Sequence, residues 1–273
     1  MRTVLLMSIL ANVLAGCASP GSTRTETAAA IDGVLAGGQR SEAHRERDRY
    51  RHPKETLLFF GVRPELRIVE VWPGGAGWYT EILAPLVREK GQYYAAQYEA
   101  DASNEYVTRE LARFREKLAS RPDLYDRVVV TTLGPSGAAI APPASADMVV
   151  TFRNIHSWMA RGWAPQAFAA MYAALKPGGV LGVVEHRGPG GEQDPQARRG
   201  YVNEDYAIRM IEAAGFRLAG KSSVNDNPRD TKDYEQGVWT LPPTLRLGTT
   251  DRQKYLDIGE SDRFTLKFEK PAK

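Results

Sequence analysis

Two carboxylates and a glycine turn stand where a parallel α/β domain binds a nucleotide-like ligand. Residues 67–72 form a short β-rich run, Arg67-Ile68-Val69-Glu70-Val71-Trp72, followed by Pro73-Gly74-Gly75-Ala76-Gly77. Apolar residues then recur with helical spacing at Ile82, Leu83, Leu86 and Val87. Glycines at such a bend admit positive φ and let the backbone approach a ligand. The opening helix would aim its unpaired N–H groups at the same place. The turn has no Lys-Ser/Thr pair and no clean G-x-G-x-x-G, so a nucleoside triphosphate is not expected. Glu99 ends a second β run about 20 residues on, where an acid can accept hydrogen bonds from ribose hydroxyls. Asp101 competes for that role, and a plain surface acid on a strand-to-helix loop is the structural alternative.

The four histidines are His44, His52, His156 and His186. His156 follows the β run 147–152 and His186 follows 180–185. Ligands of open α/β sheets sit at the carboxyl ends of strands, so neighbouring strands would bring both imidazoles to one crevice. A neutral imidazole can take a proton near neutral pH. His156 is therefore the first candidate base or acceptor-orienting group, His186 the second, and Asn154 and Arg153 share the loop of His156. Polar capping of strand ends would use the same residues. No H-x-x-x-H or H-x-E spacing supports a metal, so none is expected. A metal-assisted hydrolase built from His156, His186 and Glu185 or Asp205 stands as a third reading.

The elements that must place these groups alternate from residue 67 onward. Strands are predicted at 67–72, 92–98, 127–132, 147–152, 180–185, from 216, and at 264–268. Helices are predicted at 78–90, 102–119, 163–175 and 203–214. Continuous apolar strands alternating with helices argue for a mostly parallel sheet covered on both faces. Upstream, 29–66 reads as a helical flap, broken at Gly37-Gly38 and stopped near Pro53. Tyr50-Arg51-His52-Pro53 could fold over the site. A loop at 225–260, with Trp239-Thr240-Leu241-Pro242-Pro243, is long enough to be a lid.

Composition is that of an ordinary globular chain, with 42% hydrophobic and 25% charged residues. A net charge of +3 is too small to argue for nucleic acid. Six Arg or Lys and three acids within 40–54 read as a solvated helix face. Arg2, the apolar run 4–10 and the small residues before Cys17 describe a secretory signal. Leu14-Ala15-Gly16-Cys17 resembles the bacterial lipoprotein signal, which implies acylation of Cys17 and a membrane anchor. Residues 18–28 read as a flexible tether. Cys17 is the only cysteine, so there is no disulfide framework. Ala18 is similar to the sorting position of outer-membrane lipoproteins, which implies an exported, periplasm-facing protein.

Glu70-x-x-x-Gly74-Gly75-Ala76-Gly77, then Glu99, then Leu175-Lys176-Pro177-Gly178-Gly179 resembles the class I S-adenosylmethionine-dependent methyltransferases over about residues 45–270. Arg153-Asn154-Ile155-His156-Ser157-Trp158 and Gly237-Val238-Trp239-Thr240-Leu241-Pro242-Pro243 look like a bacterial group of that family with lipoprotein-type N-termini. The resemblance implies a Rossmann-like methyltransferase fold, its last strand antiparallel, across 67–273. It implies S-adenosylmethionine as cofactor and a small-molecule acceptor. Glu70, Gly74, Gly75 and Gly77 would face the cofactor's methionine part and Glu99 its ribose. Trp72 stands where the wider family has its first glycine. A sulfonium favours aromatic faces, which adds Trp72 and Trp78 as contacts. Export away from cytosolic S-adenosylmethionine keeps a second reading open, a non-catalytic binding module for a nucleoside-like or aromatic ligand.

Overall fold

The computed structural model describes residues 21–272. Cys17 and the apolar run before it lie outside them. Thr23 and Glu26 form a reciprocal cap that starts α1 (Arg24–Ala36), so a helix begins inside the stretch expected to be a tether. Gly37 ends it. Short helices α2 (Glu42–Arg45) and α3 (Asp48–Arg51) follow, then α4 (Pro53–Phe60). Pro53 starts α4 instead of stopping a helix, because its missing N–H costs nothing in the first turn. Among the described residues no helix is long and apolar enough to cross a membrane.

The alternating region gives β1 (Arg67–Val71), α5 (Thr80–Val87), β2 (Gln92–Tyr98), α6 (Glu105–Ser120), α7 (Pro122–Tyr125), β3 (Val129–Leu133) and β4 (Ala146–Phe152). Then come α8 (Ile155–Ala160), α9 (Ala164–Ala174), β5 (Leu175–His186), α10 (Glu204–Ala213), β6 (Arg217–Ser222), α11 (Arg252–Ile258) and β7 (Arg263–Glu269). One seven-stranded sheet runs in the order β3-β2-β1-β4-β5-β7-β6, with β7 antiparallel to β5 and β6. β1 pairs in parallel with both β2 and β4, which puts the switch in strand order between β1 and β4. This is the Rossmann-like methyltransferase fold.

Strand side chains alternate between the faces. Ile68, Tyr93, Met148 and Val150 pack with α1, α4 and α5 on one side. Val69, Val71, Val149, Leu181 and Val183 pack with α9 and α10 on the other. The stretch between β6 and β7 is not a bare loop. It holds a 3-10 turn (Gly237–Thr240), α11, and a small apolar cluster of Tyr234, Leu241 and Tyr255.

Candidate functional site

The carboxyl edge of the sheet carries Trp72, Glu99, Arg153 and His186, and antiparallel β7 brings Arg263 to the same edge. Two strand-end residues there have left-handed backbones, Trp72 at φ 48° and Arg153 at φ 63°. For non-glycine residues this costs about 1–2 kcal/mol each, and such strain concentrates at sites. Asn154 holds the two strand ends together. Its Nδ2 donates to Val71 O at 2.9 Å and to Thr151 Oγ1 at 3.1 Å, across the β1–β4 switch. Asn154 is thus a staple between strands, with its amide NH₂ committed to protein partners.

On the β2–β3 side lies a crevice. Strict alternation would send Trp72 toward α5, but its left-handed backbone turns the indole to the face of Val71. The ring packs against Tyr98 at 4.6 Å, Trp163 at 5.4 Å and Trp158 at 5.8 Å. Its Nε1 donates to Leu133 O at 3.0 Å. The indole thus lies across the ends of β1–β3. Beside it remains an opening of about 290 Å³ lined by Trp72, Tyr98, Glu99, Asn104, Arg161 and Trp163. One oxygen of Glu99 accepts the Ser136 N–H at 3.2 Å, and the second makes no hydrogen bond among the described residues. That volume sits at the lower end of small-ligand pockets.

Five of the expected cofactor contacts, Glu70, Gly74, Gly75, Gly77 and Trp78, make contacts within the fold. Glu70 lies on the α5 face by strand alternation, where it accepts from Tyr93 Oη and, at 3.2 Å, from Thr80 Oγ1. Burial pushes its carboxyl up to about 7, against the lowering pull of those two hydroxyls. Trp78 donates to His44 O at 3.0 Å, with the guanidinium groups of Arg40 and Arg51 over its ring, so it anchors the flap. The glycine turn is roofed by α6. Gly75 N–H donates to Glu110 Oε2 at 2.8 Å, and a Cβ on Gly75 would meet Arg113 Cβ at 2.9 Å. A Cβ on Gly77 would meet the Lys117 side chain at 3.0 Å, and Gly74 needs its φ of 70°. Only glycine fits, but the close neighbour is a helix.

On the β4–β5 side the sequence had placed the histidines well. Their rings are 5.5 Å apart. Glu185 is fully buried and accepts from Ile155 N at 2.6 Å and His186 N at 2.9 Å, which caps the short α8. Its Oε1 is 3.1 Å from His156 Nδ1, so Glu185 orients that imidazole. His186 Nδ1 is 2.5 Å from Ser261 Oγ. Burial, then His156, Arg263 and Arg153, hold His186 well below the usual histidine range, so it is neutral. Potential ligand atoms of His156, Glu185 and His186 lie within 4.8 Å of one another. Asp205 is elsewhere, paired with Arg209 on exposed α10. The trio has metal-like geometry that linear spacing could not reveal, yet the guanidinium groups of Arg153 and Arg263 beside it oppose a divalent cation.

Of the arginines gathered here, Arg47 and Arg51 belong to the charged run 40–54 and Arg153 to the His156 loop, and only Arg263 carries no signal in the sequence. Glu260 takes Arg47 Nε at 2.5 Å, Arg51 Nε at 3.4 Å and Arg263. Several guanidinium groups hold Glu260 well below the usual carboxylate range despite its burial. The flap therefore meets the start of β7 through this carboxylate and through Arg263 Nη1, which donates to Tyr50 O at 3.2 Å.

No family model and no curated protein matches the chain. Solved structures do. A SAM-dependent methyltransferase from Aquifex aeolicus is 15% identical, with a TM-score of 0.55 over 89% of this chain and 98% of that one. The [4+2]-cyclase SpnF is 16% identical, with a TM-score of 0.56 over 93% of this chain and 98% of its own. A SAM-dependent methyltransferase from Methanosarcina mazei is 11% identical, with a TM-score of 0.52 over 80% and 98%. At such identities the likeness establishes the fold, and the cyclase among them is a reminder that fold alone does not fix the reaction.

Proposed function

We propose that the chain is an S-adenosylmethionine-dependent methyltransferase acting on a small acceptor near His156. The observation that carries this reading is the crevice at the carboxyl ends of β1–β3, with Glu99 at its rim, in a methyltransferase sheet order. The residues present fit the nucleoside half of the cofactor: Glu99 for ribose hydroxyls, and Trp72 and Tyr98 as aromatic faces for a base or a sulfonium. The amide of Gly75 and the carboxylate of Glu70 are engaged elsewhere, so the methionine half would be held by other groups. When bound, the cofactor supplies an electrophilic methyl group. The chain's part is to place the acceptor in line, with the Glu185-oriented imidazole of His156 receiving the acceptor proton. The second reading, a nucleoside-binding module without methyl transfer, is favoured by one observation, the indole of Trp72 lying across the crevice.

Calorimetry on the full chain in detergent separates the two. The methyltransferase reading expects saturable heat with S-adenosylmethionine and its demethylated product, whereas equal binding of plain adenosine would favour the module. Glu99→Ala should weaken either ligand about tenfold, the scale of a lost charge-assisted hydrogen bond. Unchanged affinity would remove Glu99 from the site. Export and lipid anchoring belong to the same proposal. Cys17→Ser is expected to move the protein from the membrane fraction to the soluble one, and retention in the membrane would count against the anchor.

A further inference from the structure

We infer that Arg51, Arg153 and Arg263 form an anion site for the carboxylate of a small molecule that occupies the cleft beneath the flap. This goes beyond the methyltransferase reading and does not depend on it. The three arginines line a partly open void of about 10 Å³, bordered also by Tyr79, Phe152, Val184 and Asn225. A space of that size holds roughly one water-sized atom. It therefore suits one carboxylate oxygen or a halide, and it is too small for a tetrahedral oxyanion.

The charge count calls for an anion. Buried charges are costly unless paired. Arg51, Arg263 and the more exposed Arg47 share the single carboxylate of Glu260. Arg153, which keeps part of its surface exposed, makes no ion pair among the described residues. Glu70 lies within electrostatic range, but its carboxylate is bound to Tyr93 and Thr80. Arg263 Nε is buried without a hydrogen-bond partner, and so is Asn225 Oδ1. The Asn225 amide lies between the hydroxyls of Thr56 and Thr265, at 3.0 and 2.8 Å. Thr56 Oγ1 already donates to Arg51 O at 3.3 Å, but Thr265 Oγ1 can donate, so the amide can be turned onto Thr265 to leave its NH₂ for an anion. Burial and the neighbouring Arg263 pull Arg153 down to about 10, against the raising pull of Glu260.

The void lies next to space for the rest of a ligand. Asn225 also lines a cleft of about 790 Å³ between the flap and the 225–261 segment, together with Arg47, Tyr50, Pro243, Glu260 and Ser261. Ser261 links that cleft to His186. A molecule of moderate size could therefore place its carboxylate among the arginines and its body under the flap.

The test uses the full chain in detergent, melted and titrated by calorimetry in chloride-free buffer at constant ionic strength. Sodium acetate is expected to give a saturable rise in melting temperature, and sodium sulfate no saturable rise. Arg153→Gln should weaken acetate about tenfold, Arg153→Lys should retain part of the binding, and Arg217→Gln, on the exposed edge of the sheet, should bind as the parent does. No saturable response to acetate, or an equal response in folded Arg153→Gln, would overturn the site. Binding of chloride that acetate fails to displace would mark a structural halide and overturn the carboxylate assignment.

Discussion

Glu260→Gln is expected to lower the melting temperature by roughly 6–12 °C near neutral pH. Removing one partner of a buried ion pair costs about 3–5 kcal/mol, and glutamine keeps one acceptor for the guanidinium groups, so the low end, about 3 kcal/mol, applies. For a chain of this size each kcal/mol moves the melting temperature by roughly 2–4 °C. The loss is large because Glu260 is the carboxylate that joins Arg47 and Arg51 of the flap to Arg263 at the start of β7. The pH dependence follows from its depressed folded value. Its contribution is fully present above the unfolded glutamate range and is lost as pH falls toward the lower folded value. Parent and variant should therefore converge in acid and separate at neutrality. Equal melting temperatures at pH 7 would mean that the flap is held by other contacts. Added acetate should stabilise the variant more than the parent, since the site has lost a negative charge.

This cluster also marks where the sequence stops being readable. The β–α alternation and the meeting of His156 with His186 follow from apolar periodicity and strand-end position, which are local signals, whereas the antiparallel last strand is implied only by the family resemblance. Glu260 and Arg263 sit outside any motif and meet Arg47 and Arg51 only after more than 200 residues of chain have folded. Nothing in their neighbourhood announces the contact. The glycine turn misleads for another reason. Closeness of any backbone or side chain demands glycine, and here the neighbour is α6. The strand period did contain the correct answer for Glu70, because the residue two before it, Ile68, faces the same helices. Trp72 escapes that rule through its left-handed φ, which the preference of such positions for glycine hides when a tryptophan stands there.

Glu70→Gln is expected to stabilise the protein above neutral pH. Burial raises the Glu70 carboxyl to about 7 in the folded chain, against about 4.3 when exposed. The sign runs opposite to that of Glu260. Below about pH 4 the group is protonated in both states. As pH rises toward 7 the unfolded chain releases its proton while the folded one keeps it, so stability declines. Above 7 the full penalty is present, about 4 kcal/mol at 1.36 kcal/mol per unit. Glutamine is neutral throughout and can still accept from the Tyr93 and Thr80 hydroxyls, but its NH₂ group needs a partner of its own. A net gain of about 1–2 kcal/mol at pH 8 is therefore expected, or roughly 2–8 °C, with little difference at pH 5. The same variant tests the role that the family resemblance implies for this acid. A carboxylate enclosed by Tyr93 and Thr80 cannot reach a bound methionine moiety, so affinity for S-adenosylmethionine should stay within about twofold, below 0.5 kcal/mol. A tenfold loss of affinity without any gain in stability at pH 8 would place Glu70 against the ligand after all, and would require its contacts to both hydroxyls to break on binding.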